Sequence, residues 1–294
     1  MKTAVMTDEN SGISREYADS HNIFLMKMPF FVNGELRYQG ENMTTKEFYD
    51  ALAADADVST SQPSPGDVMD MWNSIFEKGY DEIVYIPMSS GLSESCNSAK
   101  IFAEEYDGKV QVVDNHRISV TMEQSVYDAM VLADKGMNAV EIRERLEKDA
   151  FEQSIYIAVD TLSYLKKGGR VTAAAAAIGT VLNLKPVLTI QGEKLDAYSK
   201  DRGLKKARKT MINAIAKDIE TRFQALEDAG KLQMSIAYSY VDDETLESWK
   251  QEVLERWPNK RFSSRRRRDD SSSSDSSDSR SYRRERSRRK EKKI

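Results

Sequence analysis

The chain has few of the residues that build cross-linked or metal-dependent proteins. It contains one cysteine, Cys96, and two histidines, His21 and His116, in 294 residues. A single cysteine excludes an intramolecular disulfide framework and a cysteine-based zinc site. Two histidines leave little room for a histidine-based metal site or a histidine-driven mechanism. We therefore expect a protein that needs no disulfide, metal ion or cofactor.

Long apolar runs are also missing. No segment approaches 18 consecutive apolar residues, and the opening stretch "MKTAVMTDEN" lacks the apolar core of a secretory signal peptide. The sequence thus predicts a cytoplasmic protein without a membrane span. Its length allows one large domain or two medium ones.

Charge is divided unevenly along the chain. Residues 263–294 hold 13 Lys/Arg against 6 Asp/Glu, whereas the preceding 262 residues hold 31 against 42. The basic segment is serine-rich, and its one aromatic residue is Tyr282. Because such a segment buries too little apolar area to offset the entropy of ordering, we expect a disordered tail over 263–294. Arg/Ser-rich tails are typical of contacts with nucleic acid or other proteins.

Strand-like and helix-like patterns alternate over residues 1–150. This alternation predicts an N-terminal α/β domain with a mostly parallel sheet flanked by helices. The strand-like runs are "TAVMTD" (3–8), "NIFLMKMPFFV" (22–32), "EIVYIPM" (82–88) and "VQVVDN" (110–115), and the helical patterns cover 44–55, 65–79 and 93–106.

Residues 151–262 show a different pattern. The run "QSIYIAVD" (153–160) precedes "KPVLTIQGEKLDAYS" (185–199), which predicts a hairpin with its turn at Gly192-Glu193. Long helical patterns follow at 203–228 and 243–256, on either side of the strand-like run 232–240. We expect an α+β domain with a mixed or antiparallel sheet.

The stretch "SSGLSES", residues 89–95, puts four hydroxyls where a buried strand ends. A hydrolase nucleophile would need Gly-x-Ser-x-Gly, and the second glycine is missing after Ser93; His116 is the only plausible base. Alternatively, Ser90 and Ser93 form an anion-binding site at the carboxyl end of a parallel strand, beside a helix N-terminus. Ser93 as an ordinary helix N-cap explains the stretch equally well.

Other polar and basic stretches join this one as candidates. The loop "VSTSQPSPG" (58–66) carries donors at Thr60 and Ser61, and "LKKGGR" (165–170) is a basic loop. A second basic run, "YSKDRGLKKARKT" (198–210), forms a docking patch if it lies near the first.

A helix of small residues is predicted after Thr172. It comprises Ala173 to Ala177 and continues through Ile178, Gly179, Val181 and Leu182. Such a helix is typical of close packing, or of a slot for an apolar ligand.

Six short motifs, some of them within the stretches above, together resemble the DegV family. They occur in the family's order and spacing over about residues 1–262, and they are Thr7-Asp8, Thr60-Ser61-Gln62-Pro63, Ser89-Ser90-Gly91-Leu92-Ser93, Val113-Asp114, Tyr164-Leu165-Lys166-Lys167-Gly168-Gly169-Arg170 and Leu184-Lys185-Pro186.

The resemblance implies a non-enzymatic two-domain carrier that holds one long-chain fatty acid in a tunnel. A partner fatty acid kinase would phosphorylate the bound carboxylate. Hydroxyls would bind that carboxylate, and basic side chains near the tunnel mouth would dock the kinase. The carboxylate-binding candidates are Thr60, Ser61, Ser90 and Ser93, and the docking candidates are Lys167, Arg170 and Arg202.

The chain departs from the family after "WPNKRF". The family continues with a final strand and a His-x-Gly-Pro-Gly-like motif, which the Arg/Ser tail does not match. We therefore expect a second domain, 151–262, that lacks the family's last strand. An alternative function is an RNA- or protein-interaction factor that acts through the tail, and a third is a serine hydrolase that uses Ser93.

Overall fold

The computed structural model describes residues 1–178, 183–239, 241–260 and 262–266. Within these ranges it is an α/β protein with one parallel sheet and two antiparallel sheets, as the sequence predicts. A further pair of parallel strands closes the described part of the chain.

A four-stranded parallel sheet organises the N-terminal part. Its strand order is β2-β1-β6-β7, and every pairing between neighbours is parallel. The strands are β1 (Thr3–Asp8), β2 (Ile23–Met26), β6 (Glu82–Ile86) and β7 (Val110–Val112).

Helices cover both faces of this sheet. Val5 and Val84 point to one face, where they meet α1, α5 and α6, while Ala4 and Met6 point to the other, where they meet α3 and α4. Strands buried on both faces are the reason these runs are apolar throughout. The helices of this part are α1 (Arg15–His21), α2 (Thr45–Ala53), α3 (Pro65–Glu77), α4 (Ser95–Ala103), α5 (Val120–Asp134) and α6 (Ala139–Lys148).

The prediction of a single strand over 22–32 is wrong, because the run forms two separate strands. After β2 the chain passes Pro29, which has no N–H to donate to a strand ladder. It then forms β3 (Phe30–Val32), which pairs antiparallel with β4 (Glu35–Arg37) and β5 (Val58–Thr60). This small sheet is separate from the main sheet.

The predicted hairpin is the centre of the C-terminal part. Strand β9 (Leu184–Ile190) pairs antiparallel with β8 (Ile155–Ala158) and with β10 (Asp196–Arg202). The hairpin turn, residues 191–195, contains Gly192 as predicted. Val187 packs against α9 on one face of this sheet, and Leu188 faces the N-terminal part. The helices here are α7 (Ser163–Lys167), α8 (Ala173–Ala176), α9 (Leu204–Thr221), α10 (Gln224–Asp228) and α11 (Asp243–Arg256).

A strand follows Trp257 and runs past residue 262, the predicted end of the second domain. Strand β12 (Phe262–Arg266) pairs in parallel with β11 (Met234–Tyr238). The first four residues assigned to the disordered tail therefore belong to a sheet, and the Oγ atoms of Ser263 and Ser235 lie 2.7 Å apart. The rest of the predicted tail, 267–294, lies outside the described residues.

Two arginines hold the segment that joins the two parts. Arg117, from the N-terminal part, is buried and donates to the carbonyl oxygens of residues 149–150 at 2.5 and 3.3 Å. Arg222, which follows α9, donates to the carbonyl oxygens of Phe151 and Gln153 at 3.2 and 3.4 Å. This linker is thus fixed from both sides. An arginine of the N-terminal part binds the backbone up to residue 150, and an arginine of the C-terminal part binds it from residue 151.

Two isoleucines on neighbouring helices test the position of the core. Ile75 in α3 is fully buried, whereas Ile101 in α4 is 64% exposed. We expect Ile75→Ala to lower the free energy of unfolding by about 2–5 kcal/mol, because it leaves a cavity under the sheet. The matched change Ile101→Ala should cost less than about 0.5 kcal/mol. Urea unfolding followed by circular dichroism measures both; equal losses would contradict this packing.

Candidate functional site

Polar groups gather at the carboxyl edge of the parallel sheet. Asp8, the last residue of β1, is fully buried, and its carboxylate accepts hydrogen bonds from the N–H groups of Asn10 and Met88, both at 2.8 Å. Because Met88 follows β6, this carboxylate ties two neighbouring strand ends together. Ligands of open α/β sheets bind at this edge, so the loops after β6 and β7 form the candidate site.

The serine loop, residues 89–94, connects β6 to α4. The N–H of Ser90 donates to Oδ1 of Asp114 at 3.3 Å. Burial alone would raise the pKa of Asp114, but hydrogen bonds from Ser90 and the nearby charges of His116 and Lys100 hold that pKa below its ordinary value of 3.8. Asp114 is therefore ionised at neutral pH, and it engages the predicted ligand-binding residue Ser90.

Ser93 lies in the same loop, one residue before the N-cap position of α4. Helix α4 begins at Ser95 with Glu94 as its N-cap residue, so the prediction that Ser93 caps it is wrong. The Ser93 Oγ accepts a hydrogen bond from the N–H of Ser95 at 3.2 Å. Its own hydroxyl hydrogen has no acceptor among the described residues, which leaves this donor available to a ligand.

Thr60 and Ser61 lie at the end of β5, and both side chains are exposed. The Ser61 hydroxyl donates to the carbonyl oxygen of Gln62 at 3.2 Å. The Gln62 Oε1 accepts from the Ser98 hydroxyl in α4 at 3.3 Å. The fold thus brings this loop to the same end of α4 as the serine loop.

Two basic residues of the C-terminal part reach across to these loops. The Arg170 guanidinium is half-buried, and its Nε donates to the carbonyl oxygen of Leu92 in the serine loop at 3.3 Å. Lys167, in α7, forms an ion pair with Asp57 just before β5. Arg170 therefore lies against the serine loop itself, while Lys167 lies beside the segment that leads into β5.

Apolar side chains from both parts of the chain meet beside the serine loop, and we call them the interdomain cluster. Met88, Leu92 and Ile118 come from the N-terminal part. The C-terminal part contributes Leu162, Ala175, Ile178, Leu188, Ile190 and Leu195, with Ile155, Ile157, Val159, Leu165, Val171, Leu184 and Ala197 packed against them. The serine loop, which carries the hydroxyl donors, thus contributes Leu92 to an apolar cluster.

Helix α8 supplies the small residues predicted for this region. The Thr172 Oγ1 caps it by accepting from the N–H of Ala175 at 3.2 Å, as expected. Of the residues predicted to continue it, Ile178 is buried in the interdomain cluster, and the positions 179, 181 and 182 lie outside the described residues.

Arg202 is separated from the other two predicted docking residues. It closes β10, whose first residue, Asp196, accepts a hydrogen bond from Thr172 near Arg170. At roughly 3.3 Å per residue, the strand carries Arg202 about 20 Å from that contact. Arg208, in the same basic run, is buried and paired with Glu252. The two basic stretches therefore do not merge into one patch.

The geometry around His116 does not support a serine nucleophile. Its Nδ1 lies 3.3 Å from the carbonyl oxygen of Gly192 and 3.9 Å from Oδ1 of Asp114, and its ring stacks on Phe151. Within the described part of the chain, no hydrogen bond joins this ring to a serine hydroxyl. Burial raises the pKa of the Cys96 thiol to about 12, so this cysteine is not a nucleophile at neutral pH either.

Metal-binding clusters and membrane-spanning helices are both absent from the described residues. No group of three or more His, Cys, Asp and Glu side chains there is arranged to hold a metal ion. No helix in the same ranges has the length and apolar character to cross a bilayer. The nucleic-acid contact predicted for the tail depends mainly on residues 267–294, which lie outside these ranges.

A family profile, described as an uncharacterised protein of the DegV family, matches residues 2–266. The chain belongs to the DegV family. A DegV domain-containing protein of Streptococcus pneumoniae is 31% identical over 218 residues, which cover 73% of this chain and 77% of that protein.

Solved DegV structures share this fold. A DegV family protein from Thermus thermophilus, described as fatty acid binding, is 27% identical with a TM-score of 0.77, over 91% of this chain and 93% of its own. DegV from Bacillus subtilis, described as a fatty acid binding protein, is 26% identical with a TM-score of 0.72 over the same shares.

Two residues of this DegV site have roles that sequence reasoning missed. Asp114 belongs to a motif without an assigned function, although a carboxylate at or just after the end of a strand, as at Asp8, is a usable signal. Gly192 was predicted to form a turn only. Its contact with the serine loop joins distant segments, and no local pattern indicates it.

The pKa of Asp114 gives a pH-dependent prediction. Because the pKa of the folded state lies below the ordinary value of 3.8, the carboxylate stabilises the fold fully above that pH and loses this effect as the pH falls through the folded-state pKa. We expect Asp114→Asn to be less stable than the unchanged protein at pH 7 and the difference to shrink near pH 3. Urea midpoints at both pH values measure this. A difference that grows on acidification would contradict the assigned contacts.

Proposed function

We propose that the protein is a carrier that holds one long-chain fatty acid in the cleft between its two parts. The observation that carries this proposal is the contact between a hydroxyl-bearing loop and the interdomain cluster. A fatty acid needs both surfaces at one place. The two DegV structures described as fatty acid binding, each more than 25% identical to this chain, support the same ligand class.

The head group would lie at the serine loop. The Ser93 hydroxyl and one of Thr60 and Ser61 would donate to the carboxylate, with the Arg170 charge close by. A carboxylate that leaves water needs such donors to offset its desolvation. Ser90 would act less directly, since its hydrogen bonds go to Asp114.

The acyl chain would lie along the interdomain cluster. Burial of about 14 methylenes at roughly 0.8 kcal/mol each gives on the order of 11 kcal/mol before ordering costs. This gross energy is enough for the ligand to remain bound through purification. Small side chains such as Ala175 in α8 leave room beside the chain.

We further infer that the carrier presents the carboxylate to a fatty acid kinase in the cytoplasm. Neutral hydroxyl donors leave the carboxylate reactive toward a kinase that brings its own nucleotide and metal. Lys167 lies at the cleft, and Arg202 lies exposed at the far end of β10. These two positions supply separate basic contacts for an acidic surface of the partner.

Native mass spectrometry tests the carrier function directly. We expect the protein purified from a bacterial host to carry one long-chain fatty acid, identified after lipid extraction. Removal of two donors in Ser61→Ala with Ser93→Ala should lower its retention at least tenfold, since a hydrogen bond to a charged group contributes about 1.5–3 kcal/mol.

A matched double variant controls for the loss of serine hydroxyls as such. Ser20→Ala with Ser235→Ala alters two exposed serines in α1 and β11, away from both loops. It should retain the fatty acid as the unchanged protein does. A folded wild-type protein with only its own mass would refute the carrier function, and equal retention in both double variants would refute the assigned head-group site.

Charge reversal tests the docking contacts separately from binding. We expect Lys167→Glu and Arg202→Glu each to slow phosphorylation of the bound fatty acid by a partner kinase, because each removes a basic contact. Fatty acid content should stay unchanged in Arg202→Glu, which lies away from the head-group donors. Lys231→Glu, an exposed lysine after α10, is the control. Equal phosphorylation rates for all three would argue against docking at these positions.

A further inference from the structure

Ser89, the first residue of the serine loop, is 1% exposed and fully engaged in hydrogen bonds. Its N–H donates to the carbonyl oxygen of Arg117 at 3.0 Å. Its own carbonyl oxygen accepts from the N–H groups of Leu92 and Ser93 at 3.0 and 3.1 Å. Its Oγ accepts from the N–H of Gly91 at 3.2 Å. These bonds fix the loop conformation that places Ser93, while Ser89 itself is buried.

The same hydroxyl also crosses to the C-terminal part. The Ser89 Oγ donates to the carbonyl oxygen of Gly192 in the hairpin turn at 2.8 Å. His116 belongs to the loop after β7, and its Nδ1 lies 3.3 Å from the same oxygen. One side chain therefore holds the backbone of the serine loop and the backbone of the hairpin turn at once.

The hairpin turn and the serine loop are in close backbone contact. A Cβ atom on Gly91 would lie 2.8 Å from the Cα of Glu193 and 3.1 Å from the carbonyl oxygen of Gly192. A Cβ atom on Gly192, whose φ is +100°, would lie 2.8 Å from Phe151 and 3.0 Å from His116. Because backbone meets backbone at Gly91, the turn cannot shift toward the loop, and its withdrawal removes the acceptor of the Ser89 hydroxyl.

We propose that Ser89 is a positioning residue that couples closure of the two parts of the chain to the geometry of the Ser93 donor. With the turn in place, Ser89 holds Gly91 and Ser93 in the conformation described above. With the turn withdrawn, the hydroxyl loses its acceptor Gly192, so its orientation toward the Gly91 N–H is no longer fixed, while the backbone bonds of Ser89 remain. This inference rests on the proposed function for the identity of the ligand, whose head group would sense closure through Ser93.

A pair of spin labels measures closure independently of any ligand. The introduced cysteines Glu105→Cys and Asp228→Cys lie at exposed positions in the two parts, and the native Cys96 is buried and protonated. We expect one narrow distance distribution for the parent protein. Ser89→Ala should broaden it toward longer distances, and Gly91→Ala should do the same by pushing the turn away.

Ser95→Ala is the matched control for Ser89→Ala. It removes a serine hydroxyl from the same segment, and that hydroxyl is also buried but has no hydrogen-bond partner among the described residues. The distance distribution of this variant should equal that of the parent. If Ser89→Ala does not fold, Gly91→Ala alone decides the question, and a parental distribution in it overturns the proposal.

Oleate binding to the delipidated protein supplies the second measurement. We expect Ser89→Ala to bind oleate about tenfold more weakly and Ser95→Ala to bind it as the parent does. The double variant Ser89→Ala/Gly91→Ala should bind no more weakly than the weaker single variant, because both changes act on one contact.

The outcomes separate the two proposals. Additive losses in the double variant, or weaker oleate binding with an unchanged distance distribution, would overturn the coupling role of Ser89. If the parent protein itself binds no oleate, the carrier function fails. The spin-label distances then still decide whether Ser89 couples loop and closure.

Discussion

Burial of both faces of the parallel sheet is the constraint on which the rest of the structure depends. Because α5 and α6 cover one face of the sheet and α3 and α4 cover the other, polar groups can gather only at the ends of its strands. The strand ends leave backbone N–H groups that need acceptors away from water. Asp8 accepts from the segment after β6, and Asp114 accepts from the serine loop. The site is thus built from groups that first satisfy the backbone.

The antiparallel sheet of the C-terminal part completes this edge. One of its faces packs on α9, and the other supplies most of the interdomain cluster, so Val187 and Leu188 point to two separate apolar clusters. The hairpin turn reaches the serine loop from that sheet, and Arg170 reaches it from the segment after α7. Donors and apolar wall therefore come from different parts of the chain and meet only in the folded protein.

Sequence patterns predict the elements of this fold well where periodicity is strong. Strand β1, the hairpin and α9 follow from local patterns, and the hydroxyls at residues 89–95 follow from the end of an apolar run. Pro29 explains why 22–32 divides into two strands, and it was visible in the sequence. The hydrogen bond of Ser89 was not visible there, because its partner Gly192 lies 103 residues away and a backbone carbonyl has no sequence signature. The same holds for Arg170, whose acceptor is the carbonyl of Leu92.

The linker between the two parts bears on the entropy of ligand capture. Arg117 holds the carbonyl groups of residues 149–150, and Arg222 holds those of Phe151 and Gln153. A connection ordered in advance has little conformational freedom left to lose on binding. The two parts also stay at a high effective concentration relative to each other. For the proposed carrier, more of the energy gained by burial of an acyl chain would then remain as affinity.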